Sequence, residues 1–214
     1  MRKDEEAQFI LLPDVAFGKM GCPPRIAPNA RVMFKVRLID FVDCTASNEY
    51  ENSTAEEQRN MSFDKREEVV KSHREAGRVM FETGRYTQAR KRYRKAIRLL
   101  EECRLQDEIE EKRQQELLLK LYLNMSVTSI KIGSFPQGIT FARQALELEQ
   151  DNAKALYQIG KCKMNLADFD EARHNLVRAQ KLEPNNDKIK NLLVDLDRRE
   201  KAYRLDEKNM YQRM

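Results

Sequence analysis

The clearest pattern of apolar and polar positions lies between Ala153 and Pro184. Apolar residues recur there at spacings of three and four, first at Leu156 and Ile159 and then from Phe169 onward. This is the period of a helix with one buried face. Proline cannot continue a helix, so Pro184 ends the second segment. The pattern therefore predicts two short amphipathic helices joined by a brief turn.

Small residues mark the points where these two helices approach each other. Gly160 in the first helix, and Ala172 and Ala179 in the second, leave room for close contact between the backbones. Small residues at such positions, followed by a terminal proline and repeated every ~34 residues, are typical of the tetratricopeptide repeat (TPR). The same spacing recurs around Ser126 and around Gly77. The chain is therefore predicted to hold three repeats.

Two further helical features surround these repeats. The first two repeats are separated by about 15 extra residues, in a charged stretch without proline or glycine. That composition predicts a longer second helix in the first repeat and a longer first helix in the second. After Pro184, apolar residues at Ile189, Leu192 and Leu196 predict a long helix whose first half caps the last repeat. Its mostly charged second half is expected to project into solvent.

The N-terminal residues follow a different period. Val32, Phe34, Val36 and Leu38 alternate with the residues between them, which predicts a strand with one buried face. A shorter apolar run and a loop rich in glycine and proline precede this strand. Two strands alone are marginal in water, so the segment is expected to be either part of a larger domain or a flap on the helices. The polar stretch that follows reads as a solvated connector, with one helical turn capped by Thr54.

These patterns together predict a mainly α fold, namely a three-repeat TPR α-solenoid with a long C-terminal helix, preceded by a partial β segment. The predicted divisions are the β segment at 1–46, the connector at 47–66, the repeats at 67–184 (67–106, 107–150 and 151–184) and the C-terminal helix at 185–214.

Composition adds few constraints on chemistry. Charged residues make up 35% of the chain and aromatic residues 7%, which suits helices with broad solvated faces. The 40 basic residues are interleaved with 35 acidic ones, so the net charge of +5 favours acidic partners only mildly. The four cysteines are scattered, which predicts reduced thiols in the cytoplasm or nucleus. No segment has the length and hydropathy of a membrane span or a secretory leader, so no membrane association is expected.

The N-terminal residues resemble the C-terminal end of an FKBP-type immunophilin domain, the family of peptidyl-prolyl isomerases. The matching landmarks are Pro13, Ala16–Gly18, Gly21, Pro23, Ile26, Pro28–Ala30 and the strand from Phe34 to Leu38. The family's central helix and the aromatic floor of its proline pocket have no counterpart here, and Phe17 stands where the family usually has a tyrosine. The resemblance therefore implies an inactive remnant, with Phe17, Ile26 and Phe34 as core packing, rather than an enzyme.

The first helices of TPR repeats line a concave groove. Aligning the three repeats places seven polar residues on that face: Arg74, Arg78, Lys120, Asn124, Lys154, Gln158 and Lys161. Pairs such as Arg74 and Arg78 are four residues apart and so share one helix face. A cationic groove with a central amide suits a peptide carboxylate, because guanidinium and ammonium groups donate charge-assisted hydrogen bonds. The simpler alternative is a basic solvated face.

A second resemblance sharpens the peptide hypothesis. TPR domains of large immunophilins and related co-chaperones bind the acidic C-terminal peptide of the ninety-kilodalton heat-shock protein through a dicarboxylate clamp. Asn124 and Lys154 match that clamp, and Arg74 replaces a lysine conservatively. Arg78 stands where the family has an asparagine, and Gln158 where it has an arginine. Loss of that arginine is expected to weaken binding about tenfold or more, unless Arg78 or Lys161 substitutes for it.

Three further stretches, Asp40–Cys44, Asp151–Gly160 and Leu176–Asp187, resemble the germline immunophilins of the Shutdown type. This resemblance implies inactive FKBP-like modules joined to a TPR domain. It also implies a co-chaperone that helps to load piRNAs onto Piwi-class Argonaute complexes during gametogenesis and transposon silencing. The resemblance covers about residues 10 to 214.

Other functions are less well supported by the sequence. Direct RNA binding would need aromatic residues interleaved with a basic stripe, and the charge here is mixed. A residual prolyl isomerase lacks its pocket, and calmodulin recognition by the helix from Arg198 to Arg213 is disfavoured by that helix's acidic residues. His73 and His174 lie far apart without metal-ligand spacing, and no phosphate loop or nucleophile elbow is present. We therefore expect no cofactor, no metal site and no catalytic residue.

Overall fold

The computed structural model describes residues 1–2, 4–39, 41 and 43–213, and it describes side chains as far as residue 210. The chain divides into two compact units, Met1–Asp43 and Cys44–Met214. The first unit contains a two-stranded sheet and the second is helical, which confirms the predicted fold class.

The sheet unit pairs β1 (Glu6–Leu11) with β2 (Val32–Arg37) in antiparallel register, so that Phe9 lies opposite Phe34. A one-turn 3₁₀ helix, Pro13–Val15, follows β1. The expected buried face of β2 is not observed, because Phe34 and Val36 are each 39% exposed. Phe17 is equally exposed, so the remnant core predicted from Phe17, Ile26 and Phe34 does not close. A single two-stranded sheet has no second layer to cover either face.

The helical unit consists of nine helices among the described residues. In chain order they are α1 (Thr45–Asn52), α2 (Ala55–Arg59), α3 (Phe63–Glu82), α4 (Tyr86–Glu101), α5 (Glu108–Ile132), α6 (Phe135–Leu148), α7 (Ala153–Asn165), α8 (Phe169–Leu182) and α9 (Asp187–Arg213). Consecutive helices pack as the pairs α3–α4, α5–α6 and α7–α8, and α9 packs on α8. These three pairs are the repeats that the sequence pattern predicts.

The small residues act where the helices cross. A Cβ atom on Gly160 would lie 2.6 Å from Cγ of Leu176, and one on Gly77 would lie 2.5 Å from the Tyr93 ring. Both distances are far below van der Waals contact, so only glycine fits. In the second pair Ser126 replaces the expected glycine, is fully buried, and its Oγ donates to the carbonyl oxygen of Gly138 at 2.8 Å.

The segment expected to be a solvated connector, 47–66, is instead largely helical. Thr54 begins α2 with a capping box, in which it and Glu57 each accept a backbone hydrogen bond from the other. Helix α3 then begins at Phe63, four residues before the predicted start of the first repeat, and the Phe63 side chain is 4% exposed. The prediction failed because a polar sequence does not exclude burial. Arg66 is buried, and its guanidinium donates to the carbonyl oxygen of Gln58 at 2.6 Å.

The insertion between the first two repeats lengthens α5 far more than α4. Helix α4 has 16 residues, two more than α6 and α8, whereas α5 extends over 25 residues. Asp107 begins α5 by accepting the backbone N–H of Glu110 at 2.7 Å, and this cap separates the two helices. In α9, Leu196 is fully buried, and the Tyr203 ring still contacts Phe169 of α8 at 5.5 Å between centroids. Leu205 is 59% exposed, so the part of the helix after Tyr203 extends into solvent.

Candidate peptide-binding groove

The seven predicted groove residues all lie on the first helix of a pair. Arg74 and Arg78 are on α3, Lys120 and Asn124 on α5, and Lys154, Gln158 and Lys161 on α7. Their position relative to the buried apolar residues of each helix determines the face on which they lie. Leu121 and Met125 of α5 are fully buried, so the positions one residue earlier lie on the adjoining face of the helix.

Five of the seven residues meet in one cavity of about 240 Å³, which we term the first cavity. Its members from the predicted set are Arg74, Arg78, Lys120, Asn124 and Lys154. Glu75 and Leu123 complete the lining. The cavity forms only when the three helix pairs stack, because residues from α3, α5 and α7 are distant in the sequence.

The first cavity carries positive charge that the protein itself does not neutralise. Among the residues that the structure describes, Arg74, Lys120 and Lys154 form no ion pair. Lys120 and Lys154 are exposed, and Arg74 and Asn124 are half-buried. Three cationic donors beside one carboxamide can bind a carboxylate through charge-assisted hydrogen bonds, while the amide contacts a neighbouring main-chain group.

Arg78 does not supply the free charge expected of it. Its guanidinium contacts Glu75 and Glu82, each at 2.5 Å. Hydrogen bonds to these two carboxylates raise the pKa of Arg78 above its ordinary value. Because both partners lie on its own helix, the charge of Arg78 is offset locally, so it is less available to a ligand than the charges of Arg74, Lys120 and Lys154.

The remaining two predicted residues, Gln158 and Lys161, line a second cavity of about 310 Å³, which we term the Gln158 cavity. Lys154 lines both cavities and so stands between them. The Gln158 cavity has apolar walls from Val127, Ile130, Tyr157 and Ile189, and lysines at 131, 154, 161 and 188. Its far wall belongs to the start of α9, so the groove continues onto the C-terminal helix.

Gln158 itself is buried rather than exposed on the groove surface, with 2% of its area accessible. Neither its Oε1 nor its Nε2 has a hydrogen-bond partner among the described residues. A buried carboxamide without partners costs free energy, on the order of 1–3 kcal/mol. Such a group is uncommon in folded proteins and calls for an explanation.

Sequence reasoning missed the apolar walls of the Gln158 cavity and the acidic neighbours of Arg78. Val127 and Lys131 follow Asn124 by three and seven residues, so the same face of α5 leads directly to them. Glu75 and Glu82 are three and four residues from Arg78, a spacing that predicts ion pairs on a helix. The contribution of Ile189 has no comparable sequence signal, because it depends on how α9 folds back.

His73, the buried histidine of α3, lies in the packed interior of the helical unit. His73 is buried, and Arg92 donates to its Nδ1 at 3.3 Å. Burial, and then the charges of Arg92 and Lys95, lower the pKa of His73 to about 4. Within the described part of the chain, no group of three or more histidine, cysteine or acidic residues could hold a metal ion. No helix in that part is long and apolar enough to span a membrane.

Two family models match the chain. The model described as FKBP-type peptidyl-prolyl cis-trans isomerase matches residues 1–39, and the tetratricopeptide repeat model matches residues 153–186. The first match lies in the sheet unit and the second covers the third helix pair.

Curated relatives match over the full chain. The inactive peptidyl-prolyl cis-trans isomerases FKBP6 of Homo sapiens and of Equus caballus are each 36% identical over 214 residues, and the chain spans 65% and 67% of their lengths. The inactive isomerase shutdown of Drosophila melanogaster is 29% identical over 95% of this chain and 45% of its own. All three names state inactivity, in agreement with the prediction that the chain is not an enzyme.

Solved structures match the helical repeats. The C-terminal TPR-containing domain of a putative FK506-binding protein from Plasmodium falciparum aligns with a TM-score of 0.63 at 24% identity, over 69% of this chain and 98% of its own. The first TPR of Spaghetti (RPAP3), bound to the HSP90 peptide SRMEEVD, aligns with a TM-score of 0.50 at 21% identity, over 60% and 90%. The Hsp90 co-chaperone Cns1 from Saccharomyces cerevisiae aligns with a TM-score of 0.59 at 21% identity, over 69% and 44%. At these identities the matches establish the fold.

Proposed function

Because the chain belongs to the family of TPR-containing FKBP-type immunophilins, we propose that it acts as a non-enzymatic co-chaperone. Its groove binds the acidic C-terminal peptide of the ninety-kilodalton heat-shock protein. The observation that carries this proposal is the convergence of Arg74, Lys120, Asn124 and Lys154, from three helices, in the first cavity.

The chemistry of the first cavity fits a peptide that ends in a carboxylate. Lys120 and Lys154 extend ammonium donors that have no ion-pair partner among the described residues, and Arg74 adds a guanidinium. A terminal carboxylate accepts several such bonds at once. Two of the structural neighbours support this ligand class, since one is bound to an HSP90 peptide and the other is an Hsp90 co-chaperone.

The expected affinity is lower than that of a clamp with a full set of charges. Gln158 carries no charge, and Arg78 is already paired with Glu75 and Glu82. Each charge-assisted hydrogen bond that is lost weakens binding by about tenfold or more. The groove is therefore suited to a weak, reversible contact with the peptide.

Isothermal titration calorimetry with the peptide SRMEEVD tests the proposal. We expect Lys154→Ala to weaken binding at least about tenfold, because it removes an unpaired donor from the centre of the groove. Asn124→Ala should also weaken binding, but by less than Lys154→Ala does. The matched control is Lys181→Ala, which removes an exposed lysine of α8 that lines neither cavity and should change the affinity less than about threefold. Absence of binding heat with the unaltered chain would refute the proposal.

A role in piRNA loading onto Piwi-class Argonaute complexes, in gametogenesis and transposon silencing, forms the finer part of the proposal. The similarity to inactive FKBP6 and to shutdown supports it. The site of action is then the cytoplasm or the nucleus, where the free cysteines of the described chain remain reduced. Immunoprecipitation from germ cells should recover a Piwi-class protein together with the chaperone, and Lys154→Ala should reduce recovery of the chaperone. Recovery of neither partner would contradict this role.

A further inference from the structure

The unpaired carboxamide of Gln158 is a hydrogen-bonding group that the protein leaves without a partner. Its Oε1 and Nε2 are both buried, and both lack a partner among the described residues. The side chain lines a cavity of about 310 Å³, which is large enough to admit part of a ligand. A carboxamide presents one acceptor and one donor group side by side, so its complement must offer a donor and an acceptor together.

We infer that the Gln158 cavity is a subsite for an uncharged amide of the bound peptide, next to the carboxylate held in the first cavity. This inference rests on the proposed function. Both atoms are buried in the unliganded protein, so the Gln158 side chain must turn into the cavity that it lines when a ligand enters. An amide then donates its N–H to Oε1 and accepts from Nε2, which satisfies both orphaned atoms of Gln158. A carboxylate accepts only, so it would leave Oε1 facing a negatively charged oxygen inside a largely apolar cavity.

The surroundings of Gln158 agree with a neutral group inside and acidic groups outside. Ile130, Tyr157 and Ile189 form apolar walls around the carboxamide. The lysines at 131, 154 and 188 are exposed, so their ammonium groups extend toward solvent at the mouth. Glu183 lies at the same mouth. This arrangement favours a peptide whose acidic residues flank an amide that enters the cavity.

The two cavities are close enough for one short peptide to reach both. Lys154 lines both of them, and Gln158 follows it by four residues, or about 6 Å along a helix. One or two residues of extended chain cover that distance. The donor and acceptor are therefore either the side-chain amide of the peptide's last residue or the main-chain N–H and C=O of one extended residue one or two positions before it. The latter two groups belong to neighbouring peptide units and point to the same side of the chain, whereas those of a single trans peptide unit point in opposite directions.

Calorimetry with three kinds of synthetic peptide distinguishes these sources. The reference is SRMEEVD, the second is SRMEEVN, and the third is SRMEEVD with an N-methyl group on each peptide nitrogen in turn. If a side-chain amide enters the cavity, the unaltered chain should bind SRMEEVN more tightly than SRMEEVD. If a main-chain unit enters it, a single N-methyl position should weaken binding about tenfold. Equal binding of all these peptides would overturn the inference.

Variants of Gln158 provide the matched controls. Gln158→Leu, which keeps the volume and removes both polar atoms, should abolish whichever preference the unaltered chain shows. Gln158→Arg should reverse it, so that SRMEEVD is favoured over SRMEEVN by about tenfold. A preference that survives Gln158→Leu would overturn the inference while leaving the proposed function intact. Failure of the unaltered chain to bind any of these peptides would defeat both.

Nuclear magnetic resonance gives a readout that does not depend on affinity ratios. The side-chain amide signals of Gln158 are assigned by their absence from the spectrum of Gln158→Leu. Adding SRMEEVN or SRMEEVD should shift those signals, because a new hydrogen bond forms at Nε2. Unshifted signals in a spectrum where Lys154 signals respond would show that the peptide occupies the first cavity alone, against the inference.

Discussion

In the sheet unit the cross-strand partners Phe9 and Phe34 remain 43% and 39% exposed, whereas in the helical unit Leu156 and Leu176 are fully buried. Both units place apolar residues at the period of their own secondary structure. The difference lies in what covers them. Each helix pair packs against its neighbours in sequence, so successive repeats complete one another's core. A two-stranded sheet has no neighbouring layer within its own unit, so its apolar faces stay open.

The largest expected loss of stability comes from truncating a fully buried side chain of the helical unit. Leu176→Ala deletes a side chain that packs with Met164, Ala172 and Leu196 between α7, α8 and α9. We expect the free energy of unfolding of the helical unit to fall by about 3 kcal/mol, within the usual range for such cavities. Urea unfolding followed by helical circular dichroism measures it. A loss below about 1 kcal/mol would mean that the helical unit is not closely packed around Leu176.

Burial also makes the helical unit sensitive to pH. The folded pKa of His73 is about 4, against an ordinary value of 6.5, chiefly because burial disfavours the charged ring. Arg92 and Lys95 act in the same direction, and Glu51 opposes them. Between pH 6.5 and 4 the unfolded chain therefore binds a proton that the folded chain does not, so stability falls as the pH is lowered.

The expected loss at pH 5 is about 2 kcal/mol relative to pH 7. Urea unfolding at several pH values measures the slope, and His73→Gln is the control because glutamine keeps a polar side chain that cannot take up this proton. An unchanged slope in that variant would assign the pH dependence to other groups.

A smaller loss of stability is expected from adding a single methyl group where two helices touch. Gly160→Ala places a Cβ atom 2.6 Å from Cγ of Leu176, so α7 and α8 must separate. Overpacking costs about 1–3 kcal/mol, and the better helix propensity of alanine recovers up to about 1 kcal/mol. We expect a net loss of about 1–2 kcal/mol by urea unfolding.

The matched control for Gly160→Ala lies in the sheet unit. A Cβ atom at Gly18 would meet nothing within 4 Å, although its φ of +60° carries some strain. Gly18→Ala should therefore leave the unfolding of the helical unit unchanged. Equal effects of the two substitutions on that unit would contradict the role assigned to close helix packing.

The smallest effect is expected from the exposed face of the sheet. Phe34→Ala removes a side chain that is already 39% exposed. We expect a change below about 0.5 kcal/mol in the unfolding of the helical unit, since most substitutions away from a packed core fall in that range. A loss comparable to that of Leu176→Ala would show that the sheet unit supports the helices, and the contrast between the units would no longer hold.

Much of the fold and of the groove could be predicted because both depend on local periodicity. The spacing of Leu156, Ile159 and Gly160 predicts α7 and its packed face. The same register placed Arg74, Lys120, Asn124 and Lys154 on aligned helix faces, and the structure brings these four together in one cavity. Residues that share a helix face are related by the helix period alone, so the sequence suffices to relate them.

The prediction failed where a side chain's surroundings depend on distant elements. The segment at 47–66 looked solvated, yet Phe63 and Arg66 are buried there. Gln158 looked like a surface donor, yet it is 2% exposed beside residues from α5 and α9. Burial of a polar side chain is decided by which elements fold over it, and composition does not record that.

The sequence by itself determined the helix pairs, the close contacts at Gly77 and Gly160, and the faces on which the charged residues lie, because these follow from backbone geometry and side-chain size over a few turns. Only the tertiary structure decided that Lys154 of α7 meets Arg74 of α3 and Lys120 of α5 in one cavity. It also decided that Gln158 lies unpaired in a cavity closed by α9. The physical reason is that charge pairing and desolvation depend on distances in space, which are set when the repeats stack.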